Sequence, residues 1–300
     1  MTDPGAFVTV VVCVSGDRRV YRLIESLLNQ TMPKGRYEVI VVENGSSLFD
    51  DIVELDRTSV RYVHTNTPNR AAARNIGLDA ARGQLLLMTD ADCVVAPDWI
   101  DQMSQRLAVG SFGAIGGSIH KYRPHSLTQR YGITVVDGQR QLSYLPALSL
   151  PYVASANAGY LTDILREIGG FDEAFKSGED VDICYRLGLS GHGIGIALEA
   201  IVWHEDRTSV VDHFRRFRHY AIYQVLLFAK YKHVSGRKYV LNPYPFARLF
   251  EAILATPGAL ARGVRGDWAC AASAFFQVIE AGGVWCGDIL GSIRYRQIYL

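Results

Sequence analysis

The 300-residue chain has 31 Lys plus Arg against 30 Asp plus Glu, a formal net charge of +1. This balance produces no overall basic field, so we exclude a protein that binds nucleic acid through its whole surface. With 49% hydrophobic and 20% charged residues, the composition is also far from that of disordered proteins. The length suits one large α/β domain with an appendage.

The N-terminus and the cysteines point to an intracellular protein. The first five residues contain no basic region followed by an apolar one, so we expect a cytoplasmic location. Five cysteines without a CxxC pair favour small apolar core residues over disulfides or a closed zinc site. The most apolar late stretch, 268–293, includes Gln277, Glu280 and Asp288. A single spanning helix would have to bury these in lipid, so we expect no transmembrane segment.

The N-terminal part alternates short β-rich runs with helix-like segments, as in a parallel sheet with crossover helices. The predicted elements are strands at 7–14, 37–42, 60–64 and 83–89, and helices at 19–30 and 69–82. The four residues 85–88 are all apolar, which indicates a strand buried on both faces at the centre of the sheet.

The C-terminal part continues the pattern and then becomes helical. A strand at 114–120 precedes a long polar and aromatic connection, 121–151, of a kind that is usually functional. The later predictions are strand-like residues at 152–156, 194–198 and 200–203, helices at 162–168 and from 178 onward, a helix at 210–231, and a helix-rich segment, 242–300.

Two carboxylates follow the predicted central strand. Asp90 and Asp92 can both reach one divalent cation, which takes oxygens from carboxylates and substrate phosphates. Taken alone, the pair is more often a solvated turn or a helix cap. Its position favours the cation site, because ligands of open α/β sheets bind at the carboxyl ends of the strands.

Three further groups carry candidate chemistry. Glu179 and Asp180 open a helix, where they either complement the helix dipole or supply a general base. His204 follows an apolar strand and is either a metal ligand or a structural histidine. Arg70 and Arg74 lie four residues apart at a helix start, which suits a phosphate but also describes two surface arginines.

Together these motifs occur in the order expected of glycosyltransferase family 2, and the chain resembles that family over about its first 230 residues. The segments that carry the resemblance are SLLNQ at 26–30, VVENGSS at 41–47, residues 69–77, TDAD at 89–92, GGFDE at 169–173, GEDVD at 178–182 with Arg186, and Trp203-His204.

The resemblance implies the α/β GT-A fold, a Rossmann-like and mostly parallel central sheet flanked by helices, here with a helical C-terminal extension. It implies inverting transfer from a nucleotide-diphosphate sugar, with a UDP-sugar first among the donors, and Mn²⁺ or Mg²⁺ as cofactor. The acceptor is expected to be a carbohydrate, a lipid-linked molecule or a small molecule. The expected domains are 1–232 for the transferase, with a nucleotide-sugar half at 1–120 and an acceptor half at 121–232, and 233–300 for the extension.

The resemblance also assigns roles to residues. Asp180, with Glu179 beside it, matches the catalytic base, and the metal would be held by Asp92, His204 and Asp90. The residues implied for nucleotide-sugar binding are Val14, Ser15, Glu43, Arg70, Arg74, Asp90 and Ala91. Glu43 stands where the family usually has Asp, and a Pro-aromatic pair usual after the first strand is absent, so the nucleotide base stays open.

Two other functions are alternatives to a glycosyltransferase. A non-catalytic nucleotide-sugar or carbohydrate-binding protein would be expected to have lost part of the acidic set, which is intact. A sugar-phosphate nucleotidyltransferase lacks support, because no glycine-rich, Lys-bearing loop follows the first strand. In the connection 121–151, Tyr122, Tyr131 and Tyr144 suit an acceptor site. The helix 210–231 either lies peripherally on the inner face of a membrane or, as we favour, packs its Phe stripe onto the domain or a homodimer partner.

Overall fold

The computed structural model describes residues 6–45, 60–132, 143–144, 150–236, 244–264 and 268–299. Its strands are β1 (Val8–Val14), β2 (Tyr37–Asn44), β3 (Val60–Thr65), β4 (Leu85–Asp90), β5 (Cys93–Val95), β6 (Phe112–Lys121), β7 (Ser143–Tyr144), β8 (Pro151–Tyr152), β9 (Asn157–Leu161) and β10 (Gly193–His204). Its helices are α1 (Val20–Leu28), α2 (Arg70–Ala80), α3 (Trp99–Val109), α4 (Leu127–Tyr131), α5 (Thr162–Glu167), α6 (Glu179–Leu189), α7 (Val210–Ser235), α8 (Tyr244–Val264) and α9 (Trp268–Tyr295).

The central sheet has the strand order β3-β2-β1-β4-β9-β6-β10-β5. β1, β2, β3 and β4 are parallel to one another, and β6 is parallel to β10. β9 is antiparallel to both β4 and β6, and β5 is antiparallel to β10 at the edge. The mostly parallel sheet is therefore confirmed, and the apolar run of β4 lies near its middle.

Two apolar layers cover the faces of this sheet. On one face, the buried side of α1 and the residues Trp99 and Met103 of α3 pack against the strands. On the other face, α2 and α6 supply Leu78, Ile183 and Leu187. These side chains are at most 3% exposed. Since full burial of one such side chain contributes about 1.5–3 kcal/mol, the two layers hold the strand ends in place.

One strand lies later in the chain than predicted. Residues 152–156 were expected to be strand-like, whereas the structure places the strand β9 at Asn157–Leu161. Asn157 is fully buried, accepts a hydrogen bond from the Trp99 indole at 2.8 Å, and donates to the carbonyls of Ser118 and Ala200 at 2.9 and 2.8 Å. A buried Asn and a glycine at 159 break the apolar signal that marks a strand in sequence.

Two strand pieces predicted at 194–198 and 200–203 form one strand, β10, with a register irregularity between Ala197 and Ile201. Residues 121–132, 143–144 and 150–151 of the predicted long connection are described, and they include α4, β7 and the first residue of β8. The remaining residues of that connection lie outside the described part of the chain, so its acceptor role stays a prediction.

The chain divides into two compact units. The first contains the central sheet and helices α1, α2, α3, α5 and α6, and the second contains α4 and α7 to α9. In the second unit the Phe stripe of α7 packs inward, since Phe214, Phe217 and Val225 lie against glycines of α9. The stripe thus packs on the C-terminal helix α9, whereas the packing predicted for it was onto the transferase domain or a homodimer partner. The predicted domain boundary after residue 232 stays a prediction.

Helix α9 is, by length and composition, able to cross a membrane, with a mean hydropathy of 1.3 in its most apolar window. Its two acidic residues, Glu280 and Asp288, are both buried within the second unit. The expectation that the chain has no transmembrane segment is neither supported nor contradicted by this helix.

Candidate active site

Several of the predicted site residues meet at the carboxyl edge of the sheet. Strand register places Glu43 of β2 beside Val14 of β1, and Cys13 of β1 beside Asp90 of β4. Val14 and Glu43 are buried, at 2% and 1% exposure. Ser15 is exposed and Ala91 is buried. The parallel order of β2, β1 and β4 thus brings residues far apart in sequence to one edge.

Asp92 is brought to His204 by the short strand β5. Because β5 pairs with β10 in a register that sets Cys93 opposite His204, Asp92 Oδ1 lies 3.4 Å from His204 Nε2. Its other oxygen, Oδ2, is 3.5 Å from Nη2 of Arg19, which in turn binds Asp17 at 2.7 Å. Burial raises the pKa of Asp92, but the hydrogen bond and charge of His204 and the charge of Arg19 outweigh it, so the net pKa lies well below the ordinary value.

The donor set suits a divalent cation only in part. Among the described residues, no group of three or more His, Cys, Asp or Glu side chains is arranged to hold a metal ion. Asp92 and His204 are close enough to share one ion, and the Asp90 side chain remains 31% exposed nearby. Two or three protein ligands fit Mg²⁺ or Mn²⁺, because such ions keep positions for water and substrate phosphates.

The predicted base lies at the start of α6. The turn before this helix needs Gly178, whose φ of +79° lies in the left-handed region that glycine adopts without strain. Asp180 then accepts a hydrogen bond from the backbone N–H of Val181 at 2.9 Å, and from the backbone N–H of Ser155 at 3.2 Å. Burial and the charge of Glu179 raise the pKa of Asp180, while Arg74 and the Ser155 N–H oppose them.

Arg74 connects Asp90 with the acidic pair Glu179 and Asp180 at the start of α6. Its guanidinium is ion-paired with Glu179, donates to Ser155 Oγ at 2.6 Å and lies 3.5 Å from Asp90. The residue is 2% exposed. Burial lowers the pKa of Arg74, but the charges of Glu179 and Asp90 raise it by more, so the guanidinium stays charged. Asp90 of β4 and the acidic start of α6 are therefore bridged by one buried cation.

The GGFDE segment is held against helix α2. Asn75 of α2 donates to the Phe171 carbonyl at 2.9 Å and accepts from the Phe171 N–H at 2.7 Å. Asn69, the N-cap of α2, donates to the Glu173 carbonyl at 2.8 Å. Arg70, the first residue of α2, is exposed at this end of the helix. The motif thus fixes the loop that leads toward α6.

Sequence reasoning missed three members of this site. Ser155 lies in a turn before β9 and has no sequence signal, because its partners are 81 and 25 residues away. Asp17 and Arg19 follow β1, but nothing in the spacing relates Arg19 to Asp92, 73 residues later. These contacts depend on strand order, which local patterns do not encode.

The family model for glycosyl transferase family 2 matches residues 9–169, more than half of the chain. The chain belongs to glycosyltransferase family 2. Within this family it is 30% identical over 218 residues to the pre-mycofactocin glycosyltransferase of Mycobacterium tuberculosis (strain H37Rv), a match that covers 68% of this chain and 44% of the relative. The chain thus spans less than half of that relative's length.

A second relative, glycosyltransferase AglE of Haloferax volcanii, is 27% identical over 218 residues, covering 69% of each chain. Among solved structures, the fold is similar to that of the mannosyltransferase PcManGT from Pyrobaculum calidifontis in complex with GDP-Man and Mn²⁺. The TM-score is 0.64 at 18% identity, covering 94% of this chain and 88% of that one. This similarity confirms the expected GT-A fold.

Proposed function

We propose that this family 2 chain is an inverting, metal-dependent glycosyltransferase that moves a sugar from a nucleotide-diphosphate sugar to an acceptor hydroxyl. The observation that carries the proposal is the buried Arg74, which joins Asp90, after the central strand, to the Glu179–Asp180 pair. A transferase needs a leaving-group site and a base at separate positions of one cleft. This pair of acidic groups from separate segments meets that need.

Asp180 is the proposed general base. The acceptor oxygen forms a bond to the anomeric carbon as the bond from that carbon to the diphosphate breaks. The acceptor proton passes to the Asp180 carboxylate, and the electron pair of the broken bond leaves with the diphosphate. A raised pKa suits this role, because a carboxylate that holds a proton more strongly is a better base near neutral pH. Glu179 is proposed to keep Arg74 next to the base.

Asp92, His204 and Asp90 are the residues proposed to hold Mn²⁺ or Mg²⁺ on the donor. A divalent cation bound there neutralises the charge that develops on the departing diphosphate. The lowered pKa of Asp92 keeps this ligand ionised across the physiological range. A solved protein of similar fold, PcManGT, is described in complex with GDP-Man and Mn²⁺, which supports a divalent ion in this fold.

The other residues proposed to bind the nucleotide-sugar donor lie at the carboxyl edge of the sheet and at the start of α2. Val14 and Glu43 lie at the carboxyl ends of β1 and β2, and Ser15 and Ala91 directly follow β1 and β4. A nucleotide binds at this edge in open α/β sheets. Arg70 at the exposed start of α2 suits the diphosphate. Arg74 was expected to contact the diphosphate as well. Its bonds to Glu179 and Ser155 favour an additional role in orienting the proposed base.

The test is donor turnover by the 300-residue chain. UDP- and GDP-sugars are incubated with Mn²⁺, with Mg²⁺ or with EDTA, and the released nucleoside diphosphate is measured with and without a panel of carbohydrate and lipid-linked acceptors. We expect release from one class of donor, its loss in EDTA, and an inverted configuration in the product.

The alternatives give different results in the same assay. Binding of a nucleotide sugar in calorimetry without any release, even with the full acceptor panel, would indicate a binding protein. Formation of nucleotide sugar from a sugar phosphate and a nucleoside triphosphate would indicate a nucleotidyltransferase. Full activity in EDTA would contradict the metal-dependent mechanism.

A further inference from the structure

Helices α8 and α9 expose an unusual number of large apolar side chains. We call these side chains the apolar face of the second unit. Its members are Phe246, Phe250, Ile253 and Leu254 of α8, Trp268, Phe275, Trp285, Leu290 and Ile293 of α9, and Ile298 after α9, each 43–73% exposed. Phe246 contacts Trp285 with a centroid distance of 5.8 Å, so the two helices contribute to one surface. Large contiguous apolar patches mark interaction sites.

Most of the residues that α9 buries are alanines and glycines, and the others are Phe276, Glu280 and Asp288. Gly283, Gly287 and Gly291 follow every four residues and face α7. A methyl group added to Gly283 would lie 2.9 Å from the Phe214 carbonyl oxygen, and one on Gly291 would lie 2.8 Å from Val225 Cγ2. The helix thus packs closely on α7 through glycines and buries Phe276, while most of its large exposed side chains are apolar. In water large apolar side chains are favoured on the buried side of a helix, so their exposure on α9 points to contact with an apolar surface.

The charged residues in the apolar part of α9 are buried rather than exposed. Between Trp268 and Ile293 the charged residues are Glu280 and Asp288, which are 8% and 0% exposed. Glu280 lies 2.9 Å from His213 of α7, so its charge is directed into the unit. The exposed side of α9 therefore contains no charge over this length, and Arg294 and Arg296 follow immediately. On α8, Glu251 is exposed.

Helix α7 exposes charged side chains beside α9. It runs beside α9 in the same direction, since His213 meets Glu280 and Lys232 meets Gln297. The Arg215 and Asp212 side chains of α7 are 63% and 51% exposed. If α9 crossed a bilayer, α7 would bring these charges into the hydrocarbon, which costs several kcal/mol. A position in the plane of the interface leaves α7 in water.

We propose that the apolar face of α8 and α9 inserts into one leaflet of an anionic lipid membrane, with α9 lying in the plane of the interface. Trp268 and Trp285 have the amphipathic rings that favour the headgroup level. Arg294 and Arg296 provide cations for anionic headgroups next to the apolar run. From the sequence, membrane contact was the less favoured alternative for the helix 210–231, whereas the structure points to the two helices that follow it.

The test is co-sedimentation of the 300-residue chain with vesicles of phosphatidylglycerol and phosphatidylcholine. The test variant is Ile253→Glu, Leu254→Glu and Ile293→Glu, three exposed positions of the apolar face. The matched control is Val109→Glu, Leu189→Glu and Leu198→Glu, three exposed apolar positions of the first unit that are 45–80% exposed. We expect binding to fall about tenfold or more in the test variant and to be unchanged in the control.

A second measurement does not depend on the stability of the test variant. Vesicles with brominated lipids should quench the tryptophan fluorescence of the unmodified chain. The variant with Trp268→Phe and Trp285→Phe should lose most of this quenching, because the two remaining tryptophans, the fully buried Trp99 and the half-buried Trp203, belong to the first unit. Neither readout requires transferase activity, so the proposal can fail or stand independently of the proposed function.

Three results would overturn the proposal. The first is a chain that stays in the supernatant with anionic vesicles. The second is equal sedimentation of the test and control variants, with quenching unchanged by the tryptophan substitutions. The third is a dimer in solution that the test variant dissociates while no form of the chain binds vesicles, which would show that a second copy covers this face.

Discussion

Ser155 contacts Asp180 through two groups, with its backbone N–H at 3.2 Å and its hydroxyl at 3.4 Å from Oδ2. The same hydroxyl accepts a hydrogen bond from Arg74 at 2.6 Å. Since Arg74 already supplies the proton of that bond, the hydroxyl proton is available for Asp180. The proposed base is thus positioned by a residue that has no motif of its own.

Ser155→Ala removes the hydroxyl but keeps the backbone N–H. A hydrogen bond to the ionised form of a carboxylate favours ionisation, so its loss should raise the pKa of Asp180 further. We expect the acid limb of the pH profile of kcat to move to higher pH. Ser155→Thr keeps a hydroxyl and should restore the limb toward its original position. An unchanged limb in Ser155→Ala would exclude this positioning role.

Asp180→Asn removes the proposed base with little change in size. General bases contribute about 10²- to 10⁴-fold, so kcat should fall by that factor while binding of the donor is retained. Asp163→Asn is the control, since its side chain is 93% exposed on α5. Turnover by steady-state kinetics and donor affinity by calorimetry separate the two effects. A variant with normal kcat would require a different base.

Asp180→Asn, which should lower kcat, should at the same time increase the stability of the folded protein near neutral pH. The pKa of Asp180 is raised in the folded protein, so between the unfolded and folded values the native state holds more protons. Stability from this group is therefore present at low pH and lost as the pH rises through the folded pKa. At pH 7, Asp180→Asn should therefore raise Tm, and the gain should vanish in acid. Thermal melts at both pH values check this; a lower Tm at pH 7 would contradict it.

Removal of one proposed metal ligand should weaken the affinity of the protein for the cation. His204→Ala leaves Asp92 with one fewer neighbouring donor, and we expect the Mn²⁺ concentration for half-maximal turnover to rise about tenfold or more. His219→Ala, an exposed position on α7, is the control. Titration of Mn²⁺ into EDTA-treated protein gives the measurement. Identical Mn²⁺ curves for both variants would remove His204 from the proposed site.

Glu38 provides a prediction on stability away from the site. It is 4% exposed and accepts hydrogen bonds from Arg82 Nη2 at 2.7 Å, Arg61 Nη1 at 3.0 Å and Thr9 Oγ1 at 2.9 Å. Burial raises the pKa of Glu38, but these donors lower it by more, so the net pKa lies below the ordinary value. Its contribution to stability is complete above the ordinary pKa and is lost as the pH falls through the lowered one.

Glu38→Gln should therefore reduce the free energy of unfolding by about 1–3 kcal/mol at pH 7. The difference from the unmodified chain should shrink as the pH falls below the ordinary Glu pKa of about 4.3, because the unfolded chain takes up its proton there first. Urea unfolding at the two pH values measures both quantities, with the exposed Glu25→Gln as control. An equal loss of unfolding free energy at both pH values would mean that the charge of Glu38 does not contribute to stability.

Strands β1, β2 and β4 were predictable because each contains at least four consecutive apolar residues. Residues 85–88 indicated the buried β4, and the structure confirms it. β9 was not predictable as placed, because its first residue is a buried asparagine whose three hydrogen bonds go to distant segments. The three-residue β5 was likewise hidden, since its pairing with β10 is what defines it.

The order and chemical type of the motifs, and through them the family, were determined by the sequence alone, since adjacent residues specify strand ends, caps and acidic pairs directly. The tertiary structure decided which of these groups meet. The parallel register of β1, β2 and β4 brings Glu43 and Asp90 to one edge, and β5 carries Asp92 to His204. The physical reason is that contacts across a sheet join residues tens of positions apart, where no periodic pattern records the partner.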